Sequence, residues 1–394
     1  MKKIYLDNAA TTPIAKEVID VMQDSMFENF GNPSSTHQFG RKAKNLVETA
    51  RKNIASVLNA SASEIIFTAG GTEADNLILQ NAVTNLDVKR IITSKIEHHA
   101  VLHTVDFLKD LHDIDVDFVN VLPCGDISLT HLEELLKKSN KKTLVSLMFI
   151  NNEIGNILPL KKVCDLCNRY NALFHSDTVQ AVGHYSINLE ETPIDFMVAS
   201  AHKFHGPKGV GFAYFKKGFG IQPMFHGGDQ EKGARSSTEN VHGILGMEKA
   251  LLIASETLES DMIRMNKLKE FFMNELMKIN SNIVFNGQSS NLELSSCTIL
   301  NVSFPIKNEL LLFNLDLYGI AVSGGSACQS GSSKGSHVLE EITNNNFESN
   351  TSIRFSFSRY TKKEDINYTI QQLKKLQRTN HVVLPIKRSK TLLD

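Results

Sequence analysis

The fold of this chain is decided by residues 198–209, which read VASAHKFHGPKG. The apolar run that leads into them, 195–200, predicts a buried strand that ends before Gly206 and Pro207. Lys203 stands at the exit of this strand, where an amine is costly unless it is solvated, paired or used covalently. Partial burial lowers the pKa of a lysine, which favours a Schiff base with a carbonyl cofactor. The short pattern also fits a surface lysine on an ordinary loop, so the neighbouring segments must decide.

The composition of the 394-residue chain is that of a globular protein, with 41% hydrophobic and 22% charged residues. Such a length is enough for two domains. A net charge of −1 argues against nucleic acid as a main partner. Five cysteines, an odd and sparse set, indicate a reducing cytoplasm rather than a disulfide framework. No signal-peptide core or bilayer-spanning apolar stretch is evident, so we expect a cytoplasmic enzyme.

Strand-like and helix-like segments alternate between Glu64 and Tyr214. This alternation predicts an α/β fold, a mostly parallel sheet with helices on both faces. In such sheets the ligand lies beyond the carboxyl ends of the strands. We therefore expect one crevice to collect the polar residues that end successive strands, which are Thr68, His98, Asn152, Asp177 and Ser200.

Capping patterns suggest where two of the helices begin. Apolar residues at intervals of three and four predict a helix over 39–57, with Ser34 or Ser35 as its cap. Thr130 and Glu133 predict a capping box at the start of another helix.

The segment 70–73, Gly-Gly-Thr-Glu, joins a predicted strand to a predicted helix. A helix start of this kind presents free backbone N–H groups to an anion, and the hydroxyl of Thr72 makes phosphate a suitable ligand. Many turns of this composition bind nothing. The segment is not a P-loop, because no Gly-Lys-Ser/Thr follows at the required spacing.

Asp177 and the motif Glu97-His98-His99 lie at two further strand ends. A buried carboxylate needs a cationic partner, and a protonated pyridine nitrogen is one; Gln180 would reach the same ligand. A histidine here would stack on an aromatic cofactor and move protons near neutral pH. Helix capping explains each motif as well when it is taken alone. A metal site is disfavoured, because adjacent histidines point in different directions.

Cys328 differs from the other cysteines because it lies in a glycine- and serine-rich stretch, 323–336. A thiol in such a stretch would approach a cofactor and then deliver what it has taken up, provided that it reacts as the thiolate. Cys164 and Cys167 form a Cys-x-x-Cys pattern inside an amphipathic helix, which favours a core position.

Arg354 alternates with apolar neighbours on a predicted strand. An inward-facing arginine of this kind pairs with a carboxylate. The sequence leaves open whether that carboxylate belongs to the protein, as an internal salt bridge, or to an amino-acid substrate.

The strand–helix rhythm changes after Tyr214. Shorter strands over 298–304 and 353–358 and two intervening helices predict a second, smaller α/β domain, which the first strand would join. The spacing also predicts one helix from about Glu239 and a separate helix through Met262. We therefore expect a large domain over 15–258 and a small domain made of 1–14 and 259–394, which carries Cys328.

Eight short motifs occur along the chain. In sequence order they are Tyr5–Thr12, Phe30–Ser35, Gly71–Asn76, Glu97–His98, Asn151–Gly155, His202–Lys203, Gly206–Gly209 and Ser326–Cys328. Together they resemble a cysteine desulfurase of the NifS/IscS type, a class V aminotransferase-like enzyme of PLP fold type I. The resemblance covers nearly the whole chain. It implies a large domain with a mostly parallel seven-stranded sheet and a smaller C-terminal α/β domain. Gly71, His205 and Ser237 depart from the family's usual alanine, tyrosine and glycine.

The resemblance implies a role for each matching position around a pyridoxal 5′-phosphate cofactor. Lys203 would form the Schiff base, Asp177 would pair with the pyridine nitrogen, and His98 would stack on the ring and shuttle protons. Gln180 and Asn152 would lie at the ring hydroxyl. The resemblance implies that the phosphate is bound by Gly71, Thr72, Ser200, His202 and, from the second subunit of a homodimer, Thr238.

The resemblance also implies a reaction, the conversion of L-cysteine to L-alanine with sulfur held on Cys328 as a persulfide. Arg354, with Asn32, would bind the substrate carboxylate. The sulfur would go to an iron–sulfur scaffold protein or another acceptor, with Cys328 as a transient cluster ligand and no permanent metal. A selenocysteine lyase or another class V PLP enzyme is the nearest alternative, and a non-enzymatic sulfur-relay protein is a third.

Overall fold

Helices and strands alternate along most of the chain in the computed structural model, which describes residues 2–305, 310–324, 335–343 and 351–380. Of these, residues 343 and 377–380 are described by backbone only. The helices are α1 Lys16–Glu28, α2 Gln38–Val57, α3 Gly71–Thr84, α4 His99–His112, α5 Leu129–Lys137, α6 Leu160–Arg169, α7 Val241–Ile279, α8 Leu311–Leu317, α9 His337–Thr343 and α10 Lys363–Asn380. The strands are β1 Ile4–Tyr5, β2 Ile65–Thr68, β3 Arg90–Thr93, β4 Asp115–Phe118, β5 Thr143–Ser146, β6 Leu173–Asp177, β7 Phe196–Ser200, β8 Gly211–Phe215, β9 Val284–Phe285, β10 Ile299–Phe304, β11 Ile320–Ala321 and β12 Thr351–Ser356.

The central sheet has seven strands in the order β2-β8-β7-β6-β5-β3-β4. Strand β8 is antiparallel to both of its neighbours, and the other pairs are parallel. The predicted α/β fold with a mostly parallel seven-stranded sheet is therefore confirmed.

Both faces of this sheet are buried, which explains the continuous apolar runs of its strands. Along β7, Met197 and Ala199 pack into one hydrophobic cluster, whereas Phe196 and Val198 pack into the cluster on the opposite face. Successive side chains of a strand point to opposite faces, so one short run supplies two layers of the core.

A second group of elements lies around a smaller antiparallel sheet, β12-β10-β9, and the parallel pair β1-β11. Its hydrophobic cluster includes Ile4, Phe272 and Phe355. Helix α7 packs on the first cluster through Leu251 and on this one through Met265, so it crosses the position at which we placed the boundary between the two domains. The division of the chain at 14/15 and 258/259 stays a prediction.

The structure corrects the predicted helix starts. Helix α2 is capped by His37, which accepts from the Gly40 N–H (3.3 Å), because residues 32–35 form a separate turn. Helix α5 is capped by Ser128, which accepts from the His131 N–H, and Thr130 already lies inside it. The two helices predicted after 239 are one continuous helix, α7.

Two expectations about individual segments can be compared directly with the structure. Cys164 and Cys167 are each 1% exposed inside α6, so the predicted core position is confirmed. Among the described residues, no helix combines the length and apolarity that a bilayer crossing requires.

Lys269 on α7 is fully buried in the smaller cluster. Its Nζ donates to the hydroxyl of Ser295 (2.7 Å) and to the carbonyl of Ser296 (2.8 Å), and neither acceptor is charged. Burial lowers the pKa of Lys269 to about 7.

The low pKa of Lys269 predicts a pH dependence of stability. Between about pH 7 and 10 the unfolded chain binds a proton that the folded chain does not, so the free energy of unfolding should rise with pH, by at most about 1.4 kcal/mol per pH unit. Lys269→Met should lack this increase, and Lys267→Met, which changes an exposed lysine of the same helix, should keep it. Urea unfolding across this pH range measures the difference, and parallel curves for all three proteins would contradict it.

Candidate active site

A cavity of about 270 Å³ lies at the carboxyl ends of the central strands. Four of the five strand-end residues predicted to meet line it, and they are His98, Asn152, Asp177 and Ser200. The fifth, Thr68, donates its hydroxyl to the carbonyl of Gly70 (3.1 Å) and lines a different cavity.

Lys203 lies on the turn after β7 and reaches this cavity. Its Nζ donates to the backbone carbonyls of Ala9 (2.6 Å) and Ala10 (3.0 Å). The Ala9 carbonyl also accepts from Nε2 of Gln180 (2.9 Å). An N-terminal segment distant in sequence therefore positions both side chains.

Asp177 ends β6 with its carboxyl group in the cavity. One oxygen accepts from the Val179 N–H (2.9 Å), as in the local capping that the sequence left open. Burial raises the pKa of Asp177, and the charges of His98 and Lys203 oppose this rise. The site thus presents a buried carboxyl group that further positive charge would stabilise as the anion.

His98 both caps α4 and lines the cavity, so the two explanations offered by the sequence hold together. Its Nδ1 accepts from the Ala100 N–H (3.1 Å), which leaves the proton of the neutral ring on Nε2. Burial is the main cause that lowers the pKa of His98. The imidazole is therefore available as a neutral donor at Nε2.

The start of α3 fits an anion. Gly70 precedes this helix with φ of 155°, and a Cβ on Gly71 would lie 2.7 Å from Cγ2 of Val179. The other predicted phosphate contacts, Thr72, Ser200 and His202, line the same cavity. Burial lowers the pKa of His202 to about 4, so its ring contributes a hydrogen bond rather than a charge.

Arg354 on β12 is 2% exposed and lines the cavity from the side of the smaller sheet. It pairs with Asp7 (3.0 Å) and donates to the carbonyl of Asn152 (2.8 Å), so the internal salt bridge left open by the sequence is present. Its Nε has no hydrogen-bond partner among the described residues. These two bonds use two of the five N–H donors of the guanidinium group, so the Nε–H and one N–H on each terminal nitrogen remain for a ligand.

Two predicted site residues, Asn32 and Thr238, do not line this cavity. Asn32 is exposed, and its side chain accepts from the Ser34 N–H (2.9 Å). Thr238 lines the second cavity, of about 230 Å³, together with Thr68. Cys328 lies outside the described residues.

Three acidic or histidine side chains of the cavity were missed by the sequence analysis, namely Asp75, Glu153 and His337. Asp75 lies one helical turn after Gly71, and Glu153 follows Asn152 in a motif that the resemblance already used. A count of titratable residues next to those motifs would have found both. His337 follows the glycine- and serine-rich stretch by one residue, and no local pattern distinguishes it.

Gly70 offers a test of the helix start. Its φ of 155° lies in a region that other residues adopt only with strain, so Gly70→Ala should lower the free energy of unfolding by about 1–3 kcal/mol. Gly220→Ala, on exposed backbone where a Cβ would find no atom closer than 3.8 Å, should change it by less than about 0.5 kcal/mol. Equal effects of the two substitutions in urea unfolding would show that Gly70 is not strained.

The chain is similar to known proteins over nearly its whole length. Residues 4–369 match the aminotransferase class-V family. The cysteine desulfurase IscS of Dictyoglomus turgidum is 42% identical, with 98% of each chain covered, and that of Methanosarcina thermophila is 40% identical over 94% of this chain and 91% of its own. A NifS-like protein from Rickettsia africae superposes with a TM-score of 0.86 at 33% identity, over 96% of this chain and all of that one. The chain belongs to the class V aminotransferase family, among the cysteine desulfurases of the NifS/IscS type.

Proposed function

We propose that this protein is a pyridoxal-phosphate-dependent cysteine desulfurase, which converts L-cysteine to L-alanine and transfers the sulfur to Cys328 as a persulfide. The observation that carries the proposal is the joint presence of Lys203, Asp177 and His98 in one cavity. The two IscS relatives named above, which match this chain over nearly their whole length, are named as cysteine desulfurases.

The donor set of the cavity fits pyridoxal phosphate. Asp177 would pair with the pyridine nitrogen, since a protonated ring nitrogen supplies the positive charge that this buried carboxyl lacks. The residues that would hold the phosphate are Gly71, Thr72, Ser200 and His202, around the start of α3. When bound, the cofactor supplies an electron sink for the charge that forms on the substrate α-carbon.

Lys203 and His98 are the groups that would move the proton of the α-carbon. The amine of Lys203 donates hydrogen bonds to the Ala9 and Ala10 carbonyls. It would give up these bonds when it binds the cofactor. The neutral ring of His98 presents a hydrogen-bond donor at Nε2, and it would transfer a proton from this atom as the imidazolium, since loss of its only N–H would leave an imidazolate.

Arg354 would bind the substrate carboxylate. A guanidinium group is always charged and forms two parallel hydrogen bonds with a carboxylate. Its bonds to Asp7 and to the Asn152 carbonyl fix its plane, and its Nε–H with the second N–H of a terminal nitrogen would supply the pair of donors. A role for the exposed Asn32 in carboxylate binding stays a prediction.

The sulfur transfer balances without an external oxidant. The carbon–sulfur bond of L-cysteine breaks, a sulfur–sulfur bond to Cys328 forms, and a proton takes the place of sulfur on the carbon. The Cys328 thiol must lose its proton to attack, and the persulfide regains one. A sulfur acceptor or an iron–sulfur scaffold protein would then remove the sulfur, with Cys328 as a transient cluster ligand.

A homodimer in the cytoplasm is part of the proposal. Thr238 lines a cavity separate from that of Lys203 within one chain, which supports its predicted contact with the phosphate of a second subunit. The cytoplasmic location rests on the sparse, odd set of cysteines.

The reaction can be tested with the purified protein, pyridoxal phosphate, L-cysteine and a reductant. We expect alanine and sulfide in equal amounts, and Cys328→Ala should lose more than about 99% of this turnover because the sulfur has no carrier. Cys124→Ala, at a half-buried cysteine outside the cavity, is the matched control. Full cysteine turnover by Cys328→Ala would contradict the persulfide route.

Carboxylate binding can be tested separately. Arg354→Lys keeps the charge and loses the planar pair of hydrogen bonds, so KM for L-cysteine should rise about tenfold or more, with a smaller fall in kcat. Arg359→Lys, which changes an arginine paired with Asp261 outside the cavity, is the control. An unchanged KM for Arg354→Lys would show that the substrate carboxylate binds elsewhere.

A further inference from the structure

Ser336, which precedes α9, and His337, its first residue, form hydrogen bonds with two segments beside the cavity. The hydroxyl of Ser336 donates to Oε2 of Glu153 and accepts from the Leu339 N–H (3.0 Å). His337 bonds through Nε2 to the carbonyl of Glu97 (3.0 Å). The chain after Gly335 is thereby tied to the segments that present His98 and Asn152.

Apolar contacts strengthen this attachment. Val338, Leu339 and Ile342 form one small cluster with Ile96 and Ile154, apart from the larger cores. Ile96 and Ile154 are sequence neighbours of Glu97 and Glu153. Helix α9 therefore packs on the same two segments that bond its first residues.

The arrangement of His337 and Glu153 indicates a proton on one of the two side chains. A carbonyl only accepts, so His337 donates from Nε2 to Glu97, and Nδ1 of the neutral ring carries a lone pair. This Nδ1 is buried without a hydrogen-bond partner in the described parts of the chain, and Oε1 of Glu153 lies 3.9 Å away. A carboxylate and a lone pair repel each other at this distance unless a proton lies on one of them.

Among the described residues, the titratable or charged groups that face this pair are Arg354, Glu97, His98 and His99. Arg354 faces Glu153 but is bonded to Asp7 and to a backbone carbonyl. The carboxyl of Glu97 turns away and accepts from Ser94 and Met148. The ring of His99 lies 4.6 Å from that of His337, between centroids.

Burial raises the pKa of Glu153 to about 7, against the opposing effects of the Ser336 hydrogen bond and of Arg354. Glu153 therefore retains a proton up to near neutral pH. As the pH rises further Glu153 loses this proton, and the attachment of α9 weakens.

We propose that Glu153 and His337 share one proton and act as positioning residues for sulfur transfer, by holding the chain at Ser336 against the cavity wall. The inference rests on the proposed function, because residues 325–334 include Cys328 and rejoin the described chain at Gly335. At the other end, Ser323 donates to Asp7 (2.7 Å), and its carbonyl accepts from the Arg354 N–H (2.8 Å). Fixing both ends raises the effective concentration of the Cys328 thiol at the substrate.

The test compares two rates in the holoenzyme during a first turnover without reductant. The change in cofactor absorbance after mixing with L-cysteine reports the steps before sulfur transfer, and quenched alanine reports the transfer. Glu153→Ala should lower the ratio of the alanine rate to the absorbance rate by about 10- to 100-fold, because the thiol is misplaced. Glu340→Gln, on the exposed side of α9, should leave this ratio as in the native protein.

Glu153→Gln separates the shared proton from simple packing. Its amide is uncharged at every pH, would turn an N–H towards Nδ1 of His337 and would accept from Ser336, so it should preserve the attachment and remove the titration of residue 153. The alanine rate of the native protein, divided by that of Glu153→Gln, should therefore fall several-fold between about pH 6 and 8.5. The quotient cancels the titration of other groups that the two proteins have in common.

Each outcome decides one point. A normal rate ratio in Glu153→Ala, or a quotient that does not change with pH, overturns the positioning role. If Glu153→Ala does not fold, the quotient with Glu153→Gln decides alone. A native holoenzyme that makes no alanine overturns the proposed function instead.

Discussion

The site depends on the contact between residues 8–15 and the turn that carries Lys203. The Thr12 N–H and hydroxyl donate to the carbonyl of His202 (both 2.9 Å), and the Ala9 carbonyl accepts from Lys203. The same segment is bonded to β12, where the Ala9 N–H donates to the hydroxyl of Ser356 (2.8 Å). One short segment thus joins the central sheet to the smaller one and fixes the reactive amine between them. Arg354, two residues before Ser356, is placed by the same contact.

Burial sets the charge of the site. It raises the pKa of Glu97 to about 8, and it lowers that of His175 to about 3 and that of His202 to about 4. Burial in and beside the cavity therefore disfavours the charged forms of Glu97, His175 and His202. Charge that enters with a ligand is little screened there, so a pyridine nitrogen, a phosphate and a carboxylate each find a distinct partner.

The sequence predicted the sheet and most of the cavity because those features depend on short-range patterns. Polar residues at the ends of parallel strands converge by topology alone, as His98, Asp177 and Ser200 do. The caps of α2 and α5 were misplaced, because a turn or an earlier serine competed for the same N–H groups. The pair of Glu153 and His337 could not be predicted, since it joins residues far apart in sequence through packing that no local pattern encodes.

Mass spectrometry of the peptide that contains Cys328, taken after one turnover with L-cysteine and no reductant, tests the central claim most directly. The account predicts that this peptide gains the mass of one sulfur atom and loses it on reduction. It also predicts no gain in Lys203→Ala, because the amine that would hold the cofactor is absent. Sulfur on the Cys124 peptide instead, or on none, would contradict the division of work between Lys203 and Cys328.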